Sequence, residues 1–217
     1  MKRPIGFPLL LLCICLLGAC KEDDYVYPSV VKEFIGASTD SNGTLSHLVA
    51  DTGEIFRIQP RSGLGGLQKD TLYRTISMYL PLEDGTVQLY SSEPVLSMKP
   101  VTADRISGGL KTDPVDIERM WLSGKYLNMV LLAQVRDQSH SYHFVEESLQ
   151  TEANGKTILH LRLHHNSNHD YEAFTRKVYL SVPLWTYGSR LKGGDRIVFH
   201  VNTYKEGDTS REFAYPD

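Results

Sequence analysis

Cysteine is nearly absent from this chain. Only three occur in 217 residues, and Cys13, Cys15 and Cys20 all lie within the first twenty. Residues 21–217 therefore contain no thiol. A disulfide bond, a thiol nucleophile and a cysteine metal ligand are excluded from that part of the chain.

Blocks of lysine and arginine are absent as well. The formal net charge is −3, and it becomes −5 without residues 1–19, which hold two cations and no acidic residue. Affinity for a phosphate backbone comes from clustered lysine and arginine side chains. We therefore expect no nucleic-acid partner.

The usual sequence patterns of catalysis are also missing. No Gly-x-Ser-x-Gly segment occurs, and Ser62-Gly63 and Ser123-Gly124 are typical of turns. The glycines of residues 63–66 lack the following helix and Lys-Ser/Thr pair of a phosphate loop. Glu146 and Glu147 point to opposite faces of a predicted strand, so they cannot easily share one substrate. We predict no catalytic residue, no cofactor and no enzyme activity.

What the sequence does contain begins with a short N-terminal signal. Lys2 and Arg3 precede the apolar run from Leu9 to Leu17, which is too short for a membrane span of ~20 residues. Small residues then lead directly into Cys20. This order resembles the lipobox of bacterial lipoproteins, in which cleavage precedes the cysteine and its sulfur carries a diacylglyceryl group. The alternative is an ordinary signal peptide with a chance cysteine.

The lipobox resemblance implies a signal peptide over residues 1–19 and a lipidated tether over residues 20–29. Two or more acyl chains make a stable anchor, whereas one holds a protein only marginally. We therefore expect Cys20 to anchor the chain to a membrane through its lipid, and we expect that membrane to be the outer membrane.

A charged segment follows the anchor. Lys21, Glu22, Asp23 and Asp24 are either a solvated tether or an export signal. The second interpretation depends on a resemblance to lipoproteins that reach the outer face of the outer membrane, and it implies exposure at the cell surface.

From Val30 onward, short β-type runs alternate with turn signals, and no convincing amphipathic helix interrupts them. Asn42-Gly43 is a strong hairpin signal. The run from Leu72 to Leu82 alternates between two faces. Five or six short strands within residues 30–101 favour a small barrel that closes to hide its edges.

A second β-rich region follows a predicted linker. Residues 102–114 contain Gly108, Gly109 and Pro114 and lack apolar periodicity, so we place the linker there. Residues 115–217 then hold further strands with a second hairpin signal at Asn154-Gly155, a pattern that fits a β-sandwich.

The segment Trp121-Leu122-Ser123-Gly124-Lys125-Tyr126-Leu127-Asn128, behind a β-rich module and a lipobox, resembles the NigD-like lipoproteins of Gram-negative anaerobes. The resemblance extends to Gly193–Ile197 and covers essentially the whole mature chain. It implies an all-β fold in which a small OB-like β-barrel is followed by an immunoglobulin-like β-sandwich. The family takes its name from a neighbouring bacteriocin locus, which suggests an immunity role. It supplies no catalytic residues.

Histidine is the only suggestive cluster of side chains. A loop site could combine His165, His169 and Asp170 with His140 or His143, because metal binding needs several such ligands around one ion. The simpler interpretation is that the strand histidines face solvent, and we predict no bound metal. The histidines of the second half are His140, His143, His160, His164, His165, His169 and His200.

Four aromatic residues are candidates for a ligand platform. Tyr73 and Tyr79 could stack on a sugar or could fill the barrel interior. Trp185 and Tyr187 could contact a protein from a loop at one end of the sandwich or could cap its core.

The function predicted from the sequence is a lipid-anchored binding protein of the cell envelope without catalysis, of bacteriocin-immunity type. The first alternative is a glycan-binding accessory lipoprotein of the surface. The second, which has least support, is a metal-assisted hydrolase. The expected partners are a membrane and a protein or glycan ligand.

Overall fold

The computed structural model describes residues 29–216. The predicted lipidation site Cys20 and the segment Lys21, Glu22, Asp23 and Asp24 lie outside the described residues. The strands within the described range are β1 Val31–Thr39, β2 Leu45–Val49, β3 Ile55–Ile58, β4 Leu72–Pro81, β5 Thr86–Pro94, β6 Leu96–Ser97, β7 Asp116–Ser123, β8 Tyr126–Val135, β9 Ser141–Thr151, β10 Thr157–Asn166, β11 Phe174–Pro183, β12 Arg196–Thr203 and β13 Gly207–Ala214.

Helical structure between residues 29 and 216 consists of two short 3-10 turns, Ala103–Arg105 and Leu184–Tyr187. Within this range, neither is long or apolar enough to cross a membrane. The predicted all-β fold class is confirmed.

The first five strands close into a barrel in the order β1-β2-β3-β5-β4. Strand β1 pairs with both β2 and β4, and the parallel contact of β3 with β5 completes the ring. This is the five-stranded OB arrangement that the family resemblance implies. The Asn42-Gly43 hairpin is present, and Gly43 has φ +78°, which glycine adopts without strain.

The polar face of strand β4 points into the barrel interior. Thr75 and Ser77 are buried, and their hydroxyls lie 2.9 Å apart, while the Ser77 hydroxyl lies 2.9 Å from that of Ser92. The opposite face of β4, which carries Arg74 and Ile76, packs against the sandwich. Simple hydrophobic alternation does not predict which face points inward here, because both faces are covered by protein.

The remaining strands form two four-stranded sheets, ordered β13-β12-β10-β9 and β6-β11-β8-β7. Alternate residues of both sheets face each other and bury a common core, as expected of a sandwich. The fully buried aliphatic and aromatic side chains of this core include Leu127, Met129, Leu131, Phe144, Leu159, Leu161, Leu180, Leu184 and Phe199.

The boundary between the two units differs from the prediction. Leu96 and Ser97, assigned to the barrel range 30–101, pair with β11 of the sandwich. The predicted linker 102–114 is also bound to the sandwich, since the Asp113 N–H donates to the His165 carbonyl. Glycine and proline indicate turns, and turns occur within a domain as well as between domains. The covalent connection between barrel and sandwich is the short step from β5 to β6.

A small aromatic cluster joins the two units. Phe34 of the barrel contacts the Trp121 ring at a centroid distance of 5.1 Å and the Tyr179 ring at 6.0 Å, both edge to face. Ile76 and Val130 complete the buried contact from either side. Edge-to-face pairs of this kind add stabilisation beyond their buried area. Barrel and sandwich therefore meet through a packed interface.

Candidate functional site

A groove of about 400 Å³ lies where the barrel meets the sandwich. The barrel contributes the start of β4, and the sandwich contributes the β6 region, the start of β8 and the turn after β11. Sites at domain interfaces are a preferred location for ligands. The lining residues are Gly36, Leu72, Tyr73, Arg74, Ser97, Met98, Lys99, Tyr126, Pro183 and Trp185.

Arg74 forms the fixed floor of this groove. Its side chain is 5% exposed, and its guanidinium makes a bidentate ion pair with Asp51, whose side chain is 7% exposed. It also donates to Asn128 Oδ1 over 2.9 Å and to Ser181 Oγ over 3.2 Å. The planar fork of arginine suits such a site, because its N–H groups point in set directions toward these acceptors.

The segment Trp121–Asn128, which carries the family resemblance, forms the sandwich side of the contact between barrel and sandwich. Tyr126 places its ring 4.0 Å from the Arg74 guanidinium carbon. Asn128 is fully buried and accepts from both Arg74 and the Ser181 hydroxyl. Gly124 has φ +50°, and a Cβ atom there would lie 2.5 Å from the Asp51 carbonyl oxygen. The segment therefore serves the contact between domains as well as the sandwich core.

Trp185 is held at the rim of the groove by a 3-10 turn. Its neighbours Leu184 and Tyr187 are buried, and the Leu184 N–H donates to the Lys125 carbonyl over 2.9 Å. Trp185 itself is 49% exposed, and Lys99 Nζ lies 5.3 Å from the centre of its ring. A large aromatic side chain presented from a fixed backbone loses little entropy on binding.

Two of the four predicted platform residues do meet in the groove. Tyr73 and Trp185 both line it, and the Tyr73 hydroxyl accepts the Gln68 N–H over 3.0 Å. Sequence reasoning missed Leu72, which is 57% exposed, and Lys99. No local signal identifies these two, because the groove that they line exists only where the barrel meets the sandwich.

The other two platform residues belong to the cores. Tyr79 is 3% exposed in the barrel and donates to Glu33, and burial raises the pKa of its hydroxyl. Tyr187 is 1% exposed in the sandwich and donates to Glu146, and burial likewise raises its pKa. The prediction that they form part of a surface platform is wrong, and the alternative of core filling is correct.

Four of the histidines of the second half form two hydrogen-bonded pairs. His140 Nδ1 lies 3.0 Å from His165 Nε2, and His160 Nδ1 lies 3.1 Å from His200 Nε2. His164 and His165 are 6% and 1% exposed, so the expectation of solvent-facing strand histidines is wrong for both. Across residues 29–216, no group of three or more histidine, cysteine, aspartate or glutamate side chains is arranged to hold a metal ion.

Comparison with known proteins places this architecture among its relatives. A NigD-like immunity protein from Bacteroides caccae is 33% identical, with a TM-score of 0.71 over 87% of this chain and 94% of that one. A protein of unknown function from Bacteroides vulgatus is 23% identical, with a TM-score of 0.69 over 87% and 92%. A protein described as a lipoprotein, from Bacteroides fragilis, is 12% identical, with a TM-score of 0.61 over 88% and 99%.

No curated protein matches this chain. A family model, the NigD-like C-terminal beta sandwich domain, matches residues 95–215. Its first residue coincides with the boundary seen in the structure, one position before β6. Both the matched domain and the relative from B. caccae lead to the same assignment. The chain belongs to the NigD-like family.

Proposed function

We propose that this chain is a lipid-anchored, non-catalytic binding protein of the cell envelope that gives immunity against a bacteriocin-type toxin. The observation that carries the proposal is the groove between barrel and sandwich, with the exposed Trp185 at its rim. The similarity to an immunity protein from B. caccae over most of both chains supports the same role.

The composition of the groove suits a polypeptide ligand. Trp185, Tyr126 and the exposed Leu72 supply apolar and aromatic surface, and Lys99 supplies a cation, whereas the charge of Arg74 is already paired with Asp51. Tryptophan and tyrosine are among the residue types that dominate binding energy at protein interfaces. The proposed partner is therefore a toxin segment with an apolar side chain and an acidic neighbour.

A deletion strain tests the immunity role directly. We expect loss of this gene to make the cell at least tenfold more sensitive to bacteriocins of sibling strains, and re-expression of the chain to restore resistance. Equal sensitivity of the deletion strain and its parent to every sibling bacteriocin would refute the role.

The proposed anchor is the lipid on Cys20, with the chain held at the outer membrane and facing outward. Replacing Cys20 with alanine should release the protein from the membrane fraction. Changing Lys21, Glu22, Asp23 and Asp24 to alanine should protect the protein from protease added to living cells. An unchanged digestion pattern in that second variant would contradict an export role for the four residues.

Glycan binding is a second candidate, favoured by the same exposed aromatic rim. Trp185 of the sandwich offers a ring face for sugar stacking, and Tyr73 lines the groove from the barrel. The lipidated protein in detergent, applied to a glycan array, tests it. Binding that Trp185→Ala and Tyr73→Ser abolish would favour a glycan ligand, and an empty array would remove this candidate.

A further inference from the structure

A chain of hydrogen bonds lies at the end of the sandwich opposite the groove, roughly 30 Å away along strand β11. The carboxylate of Asp170 lies 3.3 Å from His140 Nε2, and His140 Nδ1 lies 3.0 Å from His165 Nε2. His165 Nδ1 lies 2.9 Å from the Asp113 carbonyl oxygen. The side chains of His140 and Asp170 are 1% and 0% exposed.

The two outer contacts fix where protons must be. A carboxylate and a carbonyl oxygen only accept hydrogen bonds, so His140 Nε2 and His165 Nδ1 both carry a proton. In neutral imidazoles the facing nitrogens, His140 Nδ1 and His165 Nε2, would then both be lone-pair acceptors. Two lone pairs cannot form a contact of 3.0 Å, so a third proton has to lie between them.

We infer that His140 and His165 form a proton-sharing pair, one imidazolium and one imidazole, paired with the Asp170 carboxylate, and that this unit is a pH-sensitive clasp of the sandwich tip. The shared proton balances the buried carboxylate, so the unit is neutral. Buried charges persist in proteins when they are paired and hydrogen-bonded in this way.

The surroundings agree with this distribution of charge. Burial opposes ionisation of Asp170, but the backbone N–H groups of Arg136, Asp137, Gln138 and Tyr171 outweigh it and hold the pKa of Asp170 well below its ordinary value. Burial lowers the pKa of His165, which keeps this ring as the neutral partner.

Other titratable groups around the pair come from every neighbouring element. The Tyr142 ring stacks on His165 at 4.7 Å between centroids, and its hydroxyl lies 3.4 Å from His140 Nδ1. A hydrogen bond from that hydroxyl would still leave the two ring nitrogens facing each other without a proton. Asp113 and His164 act directly on His165. The residues that act on the immediate neighbours of the pair are Lys111, His143, His169 and Arg176.

The pair clasps two loops. The Asp170 carboxylate accepts hydrogen bonds from the backbone N–H groups of Arg136, Asp137 and Gln138. These bonds connect the loop after β8 to the loop between β10 and β11. Asn168 and His169 in the second loop both have φ +56°, a costly conformation that needs support from its surroundings. A fourth proton on the pair would set two N–H donors and two positive charges against each other, and would release the clasp.

Release would change the surface of the tip. Tyr171 beside Asp170 is 68% exposed, with the Arg136 guanidinium 5.6 Å from its ring centre. Both residues belong to the clasped loops, so acid would alter their relative position. The tip therefore has one surface at neutral pH and another at acidic pH.

Nitrogen NMR of the histidine rings in the full chain, in detergent, tests the protonation directly. At pH 7.5 we expect three N–H protons on the four ring nitrogens of His140 and His165. Two neutral rings with two protons in total would overturn the inference.

Hydrogen exchange tests the clasp. After correction for the intrinsic pH dependence, exchange of the amides of Arg136, Asp137 and Gln138 should rise at least tenfold between pH 7.5 and pH 5.0. His165→Gln should lose this pH response, whereas the matched variant His160→Gln should keep it. A response that persists in His165→Gln, or that is missing in the unaltered protein, would overturn the inference.

Discussion

Arg74 shows how one residue can decide the relation of two domains. Its charge is buried, and its hydrogen bonds reach the turn at Asp51 and the strands that carry Asn128 and Ser181. From the sequence it is one member of an alternating run, and nothing local distinguishes it from a solvent-facing arginine. Its role appears only when the Asp51 turn and the Asn128 strand are brought together.

Replacing Arg74 with methionine should lower the free energy of unfolding by about 3–5 kcal/mol, because Asp51 would remain buried without a partner. Urea unfolding followed by tryptophan fluorescence measures the change. The exposed pair of Lys177 and Glu118 offers the control, since Lys177→Met removes only a solvent-screened ion pair and should lower the free energy of unfolding far less. Similar losses in both variants would show that burial of the Arg74 pair is not what matters.

Trp185 and Tyr187 are two residues apart and should behave differently. Tyr187 is 1% exposed, so Tyr187→Ala should cost about 3–5 kcal/mol, in the range for large-to-small core changes. Trp185 is 49% exposed, and Trp185→Ala should cost about 1 kcal/mol or less while removing ligand binding. Thermal unfolding compares the two, and equal losses would argue against a site role for Trp185.

Strands and hairpins were predictable from the sequence where local chemistry determines them. Asn42-Gly43 and the turn at Gly155 sit between paired strands as expected, because their backbone conformations suit few other residues. The domain boundary was not predictable. The pairing of Leu96 with Leu180 joins segments that are far apart in sequence.

The same limit applies to the candidate site. Trp185 and Tyr73 were recognised as residue types suited to binding, but their convergence depends on how barrel and sandwich dock. Tyr79 was misassigned because the inner face of β4 is polar. The hydroxyls of Thr75 and Ser77 satisfy one another there, which a hydrophobicity pattern does not show.

Gly124 tests the turn between β7 and β8. Gly124→Ala should cost on the order of 3 kcal/mol or more, because strain at φ +50° adds to a Cβ contact of 2.5 Å with the Asp51 carbonyl oxygen. Gly155→Ala is the matched control, since Gly155 has φ +77° but nothing within 4 Å of its Cβ position. It should cost about 1 kcal/mol. Equal costs, measured by urea unfolding, would mean that the contact between domains tolerates the extra atom.

At the scale of the whole molecule, the buried histidines make stability depend on pH. Burial lowers the pKa of His164, His165 and His200 below the ordinary value of 6.5. The unfolded chain therefore binds more protons than the folded chain once the pH falls below about 6.5. The contribution of these three histidines to stability should be full above this pH and should decline as the pH falls toward the lowered values.

Thermal unfolding between pH 7.5 and pH 5.0 measures this decline. We expect the melting temperature to fall by several degrees, and to fall less in His164→Gln and His165→Gln. Asp113, Asp170 and Asp195 have lowered pKa values, so their contribution should be lost only below about pH 4. A melting temperature that rises between pH 7.5 and pH 5.0 would contradict the assignment of these histidines as neutral in the folded state.

The proposed role in the envelope depends on the whole molecule, because the anchor, the barrel and the sandwich would together present the groove to a toxin. Complementation of the deletion strain under a sibling bacteriocin tests this most directly, using the unaltered chain, a Trp185→Ala/Leu72→Ser variant and a Phe174→Ala control at equal abundance. Phe174 is exposed but lies at the other end of β11. We expect the unaltered chain and the control to restore resistance and the groove variant to lose it at least tenfold. Equal protection by all three would contradict binding through the groove.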